Sequence, residues 1–339
     1  MSKMANVLVV VVAVFVGLLL TEVASRYFLP ISAGAQLYTP EGIPVDRFNY
    51  KANTKYRQIS SEFDALTTID SLGNRASGTT VKPHTLFVGD SFTFGHGLAD
   101  EETFVNIYCK TLNQECANLG RPGIGTTKEM EILENSLSAN NWRPSVVKLF
   151  FLGMSDTLMS GNDLYDNYLH IVGESHGGPA PLPKGLAPHT SDKMLLARDD
   201  LRESLRRAKN LVMKYSNLGR IFYFSFGHYL RASFSPPASA QILEIGLTET
   251  RIQLEKFTQL SKKFGFTAEV YVIHPVQDLI RGTTAKTINV LQKAIPKQQF
   301  IPTAHVFEDT PRKYYFSYDG HWNATGAQKF ADFLILQSQ

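Results

Sequence analysis

Ser91 follows the apolar run Leu86-Phe87-Val88 in the turn Gly89-Asp90-Ser91. A serine at this point is a candidate nucleophile, because ligands of an open parallel sheet gather at the carboxyl ends of its strands. Its hydroxyl attacks poorly unless a base takes the proton, and the usual base is a histidine oriented by a carboxylate. Of nine histidines, one has an acid close by in a segment that reads as a loop before a helix: Tyr318-Asp319-Gly320-His321-Trp322-Asn323. Asp319 would orient His321 through one ring nitrogen while the other faces Ser91. Asp319 or Asn323 has a second use as the cap of the last helix, and the two uses coexist if Asn323 caps.

These residues need a scaffold that brings distant segments together. From Pro83 onward, short β-branched or aromatic runs alternate with helical stretches. The expected strands span 84–89, 115–119, 145–152, 219–226, 267–273 and 304–307, which implies a parallel sheet covered by helices. The expected helices span 101–113, 126–138, 191–216, 247–264, 283–293 and 323–337. The Arg- and Lys-rich stretch at 191–216 reads as a solvated face, and the Gly-, Pro- and His-rich stretch at 171–190 as a surface loop walling a cleft. Residues 27–81 read as an N-terminal extension packed on a main domain of 82–339.

At 339 residues and 43% hydrophobic, the chain can bury a large core. A net charge of +3 without a long basic block sets nucleic-acid binding aside. Residues 5–20 carry no charge and one polar side chain, Asn6, after Lys3. This run reads as a signal anchor within residues 1–26, although it is shorter than the roughly 20 apolar residues that span a bilayer. Val23-Ala24-Ser25 leaves a cleaved signal peptide open. Lys3 points to a cytoplasmic N-terminus and an extracytoplasmic (periplasmic) domain, with Arg26 weighing against it. Cys109 and Cys116 would be free to pair in an exported protein, or are two buried thiols. No spacing suggests a metal site or a cofactor. His96 and His274 could line a cleft or be satisfied locally, and Trp322 could stack on a sugar or pack on the last helix.

Gly89-Asp90-Ser91 resembles the first sequence block of the SGNH or GDSL-type serine hydrolases. That family comprises esterases, lipases and carbohydrate deacetylases, with polysaccharide O-acetyltransferases among its relatives. Asn118-Leu-Gly-Arg-Pro-Gly123-Ile-Gly-Thr126 resembles the second block, which implies an oxyanion-hole N–H from Gly123, with Gly125 as fallback. The third block departs from the family pattern: Ser155 stands where an asparagine is usual, and Gly161-Asn162-Asp163 follows seven residues later. The resemblance implies Asn162 as the oxyanion side chain, with Ser155 as the alternative. Asp319-Gly-His321 is an Asp-x-His form of the fourth block, similar to exported branches that include exopolysaccharide O-acetyltransferases. The fold implied is a three-layer α/β/α arrangement around a mostly parallel, flavodoxin-like five-stranded sheet, preceded by a transmembrane helix. The activity implied is hydrolysis of an acyl or O-acetyl ester, on a small molecule or polysaccharide, by Ser91, His321 and Asp319. The alternatives are O-acetyl transfer to an envelope polysaccharide, and a weakly active carbohydrate-binding or assembly protein.

Overall fold

The computed structural model describes residues 3–28, 36–39, 41, 50–78, 82–153, 162–172, 212, 215–222 and 240–338. The chain divides into two compact units, Met1–Ala35 with Leu182–Ser235, and Gln36–Pro181 with Pro236–Gln339.

The larger unit is built on a parallel sheet of β4 (Thr85–Gly89), β5 (Cys116–Asn118), β6 (Val146–Leu152), β7 (Thr267–Ile273) and β8 (Ile301–Pro302). Their spatial order is β5-β4-β6-β7-β8, all parallel. That is the doubly wound, flavodoxin-like order, in which the direction of winding reverses at the first strand and opens a crevice beyond its carboxyl end. Ser91 lies there, two residues after β4.

The strands are buried on both faces, and the pleat sends alternate residues to opposite sides. Phe87, Phe150 and Tyr271 stack across β4, β6 and β7, with centroids 6.0 and 5.2 Å apart. They share a core with the helices Phe104–Thr111 and Ala324–Gln337 through Phe104, Tyr108, Phe330 and Leu334. Leu86, Val88, Leu149 and Val272 point the other way, onto Met130 and Leu133 of the helix Thr126–Ala139 and Leu254 and Phe257 of Ala240–Phe264. Cys109 and Cys116 form a disulfide between the end of a helix and the start of β5.

Residues between Gln36 and Ile69 form a second, antiparallel sheet of β1 (Gln36–Tyr38), β2 (Thr54–Ile59) and β3 (Asp64–Ile69). Beyond it, the buried Arg75 pairs with Asp100 at 3.0 Å and donates to the Leu98 carbonyl at 2.8 Å, tying this segment to the loop after the Gly89-Asp90-Ser91 turn.

Two expected strands need correction. The run 304–307 is a 3-10 turn, Ala304–Val306, and the strand falls earlier, at β8. The buried Thr303 hydroxyl donates to the Val272 carbonyl at 2.8 Å and ends the ladder, while Ala304, Val306 and Phe307 still bury their apolar side chains. Within 219–226, residues 219–222 are helical. The helix there starts where the Glu22 carboxylate accepts the amides of Asn217 and Leu218 at 2.7 and 3.0 Å, a capping arrangement supplied from elsewhere in the chain. Residues 223–226, most of the expected helix at 191–216, and the expected loop beyond 172 lie outside the described residues.

The smaller unit holds the helix Lys3–Phe28. Its segment Val7–Phe28, 22 residues at mean hydropathy 2.8, is long and apolar enough to cross a membrane. This span runs past the sixteen residues read from the sequence and includes Glu22, which is engaged by residues 216–218 and by Arg26.

Candidate active site

Local structure fixes Ser91 before any long-range contact does. Asp90 is buried and its Oδ1 accepts the Phe92 amide at 2.9 Å, capping the four-residue helix Ser91–Phe94. Gly95 closes that helix at φ +80, a left-handed conformation that favours glycine. The segment after β5 braces the turn from the side: Asn118 Nδ2 donates to the Thr93 carbonyl at 2.8 Å, and the Arg121 amide to that of Gly89 at 3.0 Å. A Cβ at Gly120 would stand 2.4 Å from the Phe94 nitrogen, so this approach requires glycine.

The partner loop is a tight reversal. Tyr315 and Trp322 pair as a β-bridge, the Phe316 amide donates to the His321 carbonyl at 2.8 Å, and Gly320 takes φ +86 between them. Trp322 is buried against Phe330, Phe92 and Phe307 at 4.4 to 5.3 Å, so it packs in the core and offers no sugar-stacking face. Asn323 caps the last helix, its Oδ1 accepting from Gly326 at 3.0 Å, and Asp319 is left for another use.

The two segments meet. Ser91 Oγ lies 2.7 Å from His321 Nε2 across 230 residues of chain, and His321 Nδ1 contacts Asp319 Oδ1 directly. Burial would raise the pKa of Asp319, but the charge and hydrogen bond of His321, and then His96, outweigh it and hold the carboxylate well below its usual range. Burial works to lower the pKa of His321, and the Asp319 charge and hydrogen bond, with a smaller contribution from Asp90, reverse the sign and raise it.

Two contributors had little sequence signal. Glu62, in the turn between β2 and β3, accepts the amides of Ser317, Tyr318 and Asp319 at 2.6, 2.9 and 2.9 Å, fixing the loop that carries Asp319. His96 Nε2 lies 3.5 Å from Asp319 Oδ2, and its ring centroid is 4.6 Å from that of His321. Asp319 is thus shared between two imidazoles. Its neighbour Gly97, at φ +76, leaves no room for a Cβ beside Phe63 and Phe316, which seat the β2–β3 turn against this loop. The available clue was Gly95-His96-Gly97, a histidine held between glycines that turn the chain.

His96, Asp319 and His321 have ligand-type atoms within 4.8 Å of one another, the one such group of three found among the described residues. Asp319 already engages His321, and His321 engages Ser91, an arrangement suited to moving a proton.

Gly123, at φ +74, lies in the loop between β5 and the helix Thr126–Ala139. Asn162 is buried at the head of the helix Asp163–Val172, where its Oδ1 accepts the Tyr165 amide at 3.1 Å. That use of the oxygen leaves Nδ2 as the donor end of the group. The two elements are joined: Asn167 Oδ1 accepts the Thr127 amide at 3.0 Å, and a Cβ at Gly125 would meet Asn167 and Asp166 at 2.9 Å. Ser155 lies outside the described residues.

Behind the turn sits a second set of acids. Burial raises Asp90 to about 7 against the lowering effect of the Phe92 amide. Glu129 is fully buried, with neither carboxyl oxygen meeting a hydrogen-bond partner, and burial followed by the charges of Asp163, Asp90 and Asp166 pushes it well above the usual range. Asp163, raised by burial and by the charges of Asp90 and Asp166, accepts the Leu152 amide at 2.9 Å.

No family model matches the chain, and no curated protein matches it. Among solved structures it is similar to a carbohydrate esterase family 2 enzyme with a carbohydrate-binding domain from Corynascus thermopiles (Myceliophthora fergusii). The identity is 11% and the TM-score 0.38, over 90% of this chain and 86% of that one. It is also similar to a family two carbohydrate esterase from Clostridium thermocellum in complex with cellohexaose, at 12% identity and TM-score 0.37 over 91% and 86% of the two chains. A third likeness is to a gut microbial diltiazem-metabolizing enzyme, at 12% identity and TM-score 0.36 over 78% of this chain and 48% of that one.

Proposed function

We propose that the chain is an extracytoplasmic serine ester hydrolase of the SGNH type, anchored by its N-terminal helix and acting on an acyl or O-acetyl ester. The observation that carries this reading is the hydrogen-bonded line Ser91–His321–Asp319 at the crevice beyond β4. Ser91 Oγ attacks the ester carbonyl as His321 Nε2 takes its proton, and ionised Asp319 stabilises the imidazolium and fixes the tautomer. The tetrahedral oxyanion is held by the N–H groups of Ser91, at the start of its helix, and Gly123, with the Asn162 amide or Ser155 as third donor. Collapse expels the alcohol, which takes the proton from His321. Water, deprotonated by the same imidazole, then releases the acid and frees Ser91.

An anchor fits the length of Val7–Phe28, and Lys3 ahead of it favours an extracytoplasmic domain. The Cys109–Cys116 disulfide is consistent with an oxidising compartment. Retention of the helix is supported by its continuity through Phe28 and by Glu22 and Ser25, which hold residues 216–218. Cleavage after Ser25 would discard those contacts.

The activity is tested by incubating the protein with an activated aryl acetate, with and without a sugar acceptor, alongside Ser91→Ala. Acetate release that vanishes in the variant is expected. Equal rates in both overturn the nucleophile, and acetate found on the sugar replaces hydrolysis with transfer.

A further inference from the structure

A cleft of about 280 Å³ opens where β7 and β8 end, on the same edge of the sheet as Ser91. At its floor is His274, only 2% exposed, with neither ring nitrogen meeting a hydrogen-bond partner. An unpartnered imidazole at that depth costs free energy unless a ligand uses it. Burial lowers its pKa to about 4, so the ring is neutral at physiological pH and offers one N–H donor and one acceptor nitrogen. Around it stand the Thr284 hydroxyl, the exposed Asn289 amide and the Glu308 carboxylate, over apolar contacts from Ile288 and Pro302. The lining contains no Lys or Arg, and the Glu308 carboxylate, close in sequence to the second lining histidine, His305, disfavours an anion. Paired donors and acceptors beside an apolar wall suit a ring that carries hydroxyls on its edge and C–H groups on its face.

The cleft is linked to the candidate active site by one residue. Tyr315 donates its hydroxyl to the His274 carbonyl at 2.9 Å and pairs with Trp322, the residue after His321.

We propose that this cleft binds one neutral sugar ring, that of the alcohol half of the ester, with His274, Thr284 and Asn289 taking its hydroxyls. The assignment to the substrate rests on the ester-hydrolase reading, whereas binding of the sugar does not. The test titrates full-length protein carrying 15N-labelled histidine with glucose, galactose, mannose and N-acetylglucosamine, with glucuronate and inorganic phosphate as anionic controls. At least one neutral sugar is expected to shift the His274 ring signals saturably, while the anions do not. Asn289→Ala, a surface change, is expected to weaken that binding about tenfold, the loss of one hydrogen bond. The same variant should raise KM for that sugar's acetate by a similar factor at unchanged kcat. His274→Phe, with its fold checked by circular dichroism, should abolish saturable binding of that sugar read by isothermal titration calorimetry. Silence of His274 toward every neutral sugar, or equal shifts with the anions, overturns the proposal. Sugar binding with sugar-acetate turnover indifferent to Asn289→Ala removes the cleft from the reaction. Intact sugar binding in a protein whose Ser91→Ala variant hydrolyses normally sinks the hydrolase reading and leaves the binding site standing.

Discussion

Asp319 and Glu129 are acids that bear on the same turn, Asp319 through His321 and Glu129 through Asp90, yet their surroundings drive them in opposite directions. Asp319 faces two imidazoles and, with its two predecessors, rests on Glu62, so its carboxylate is ionised despite burial. Among the described residues, neither carboxyl oxygen of Glu129 meets a hydrogen-bond donor, and the charges that bear on it are those of Asp163, Asp90 and Asp166. Its environment favours the proton. The comparison teaches that burial alone does not set the charge of an acid. In front of Ser91, Asp319 and its partners fix the orientation of the His321 imidazole, and behind it, burial and like charges drive Glu129 and Asp163 toward the neutral form, in which side chains pack without counter-ions.

The sharpest way to break the front of this arrangement is Asp319→Asn, which keeps the shape and removes the charge. Ester hydrolysis is expected to fall on the order of 10⁴-fold in kcat, since the amide favours the wrong imidazole tautomer. A loss below tenfold, in single-turnover and steady-state assays alike, would mean that another group orients His321. Glu62→Ala leaves three loop amides without their acceptor, and a misplaced loop should cost on the order of 10² in kcat with KM little changed. Unchanged kcat would show that the loop holds itself.

Asp90 joins the two regions, and its variant separates them. Its negative charge helps to raise His321, so Asp90→Asn should lower the His321 pKa while the amide oxygen still caps Phe92. With His321 as the proposed base, its neutral form is the active one, and the acid limb of kcat/KM is expected to move to lower pH. A shift upward, or none, would contradict the electrostatic link.

The smallest effect belongs to the rear. A carboxyl whose folded pKa is raised costs no stability below its unfolded pKa of about 4.3. That cost grows as pH rises toward the folded value, at up to about 1.4 kcal/mol per pH unit. Glu129→Gln cannot ionise, so urea unfolding should find it close to wild type near pH 4 and more stable than wild type at pH 8. The same difference at both pH values would show that Glu129 is ionised in the fold.

Much of this was legible in the sequence because it is periodic or local. The runs at 84–89, 145–152 and 267–273 are strands, since short apolar stretches bounded by turn residues have few other places to go in a doubly wound sheet. Ser91, Asp319 and His321 could be paired on chemical grounds, and the geometry brings them together. Less was legible where a residue's role depends on a distant segment. Glu62 acts through a hairpin turn whose contact with 317–319 leaves no mark in its own neighbourhood. The β8 ladder stops at Pro302, and the next residue, Thr303, meets the Val272 carbonyl through its side-chain hydroxyl, a contact that an apolar count over 304–307 does not register. Likewise, the aromatic run from Ile221 follows a helix start capped by Glu22, nearly two hundred residues away, and hydrophobicity alone gave a strand.

The central claim is that Ser91 is a nucleophile activated by His321, and covalent capture tests it most directly. Wild-type protein treated with a fluorophosphonate and digested is expected to carry one phosphonyl adduct, on the peptide containing Ser91, with labelling strongly slowed in His321→Ala. An adduct on a different residue, or labelling of Ser91 at the wild-type rate in His321→Ala, would contradict the account.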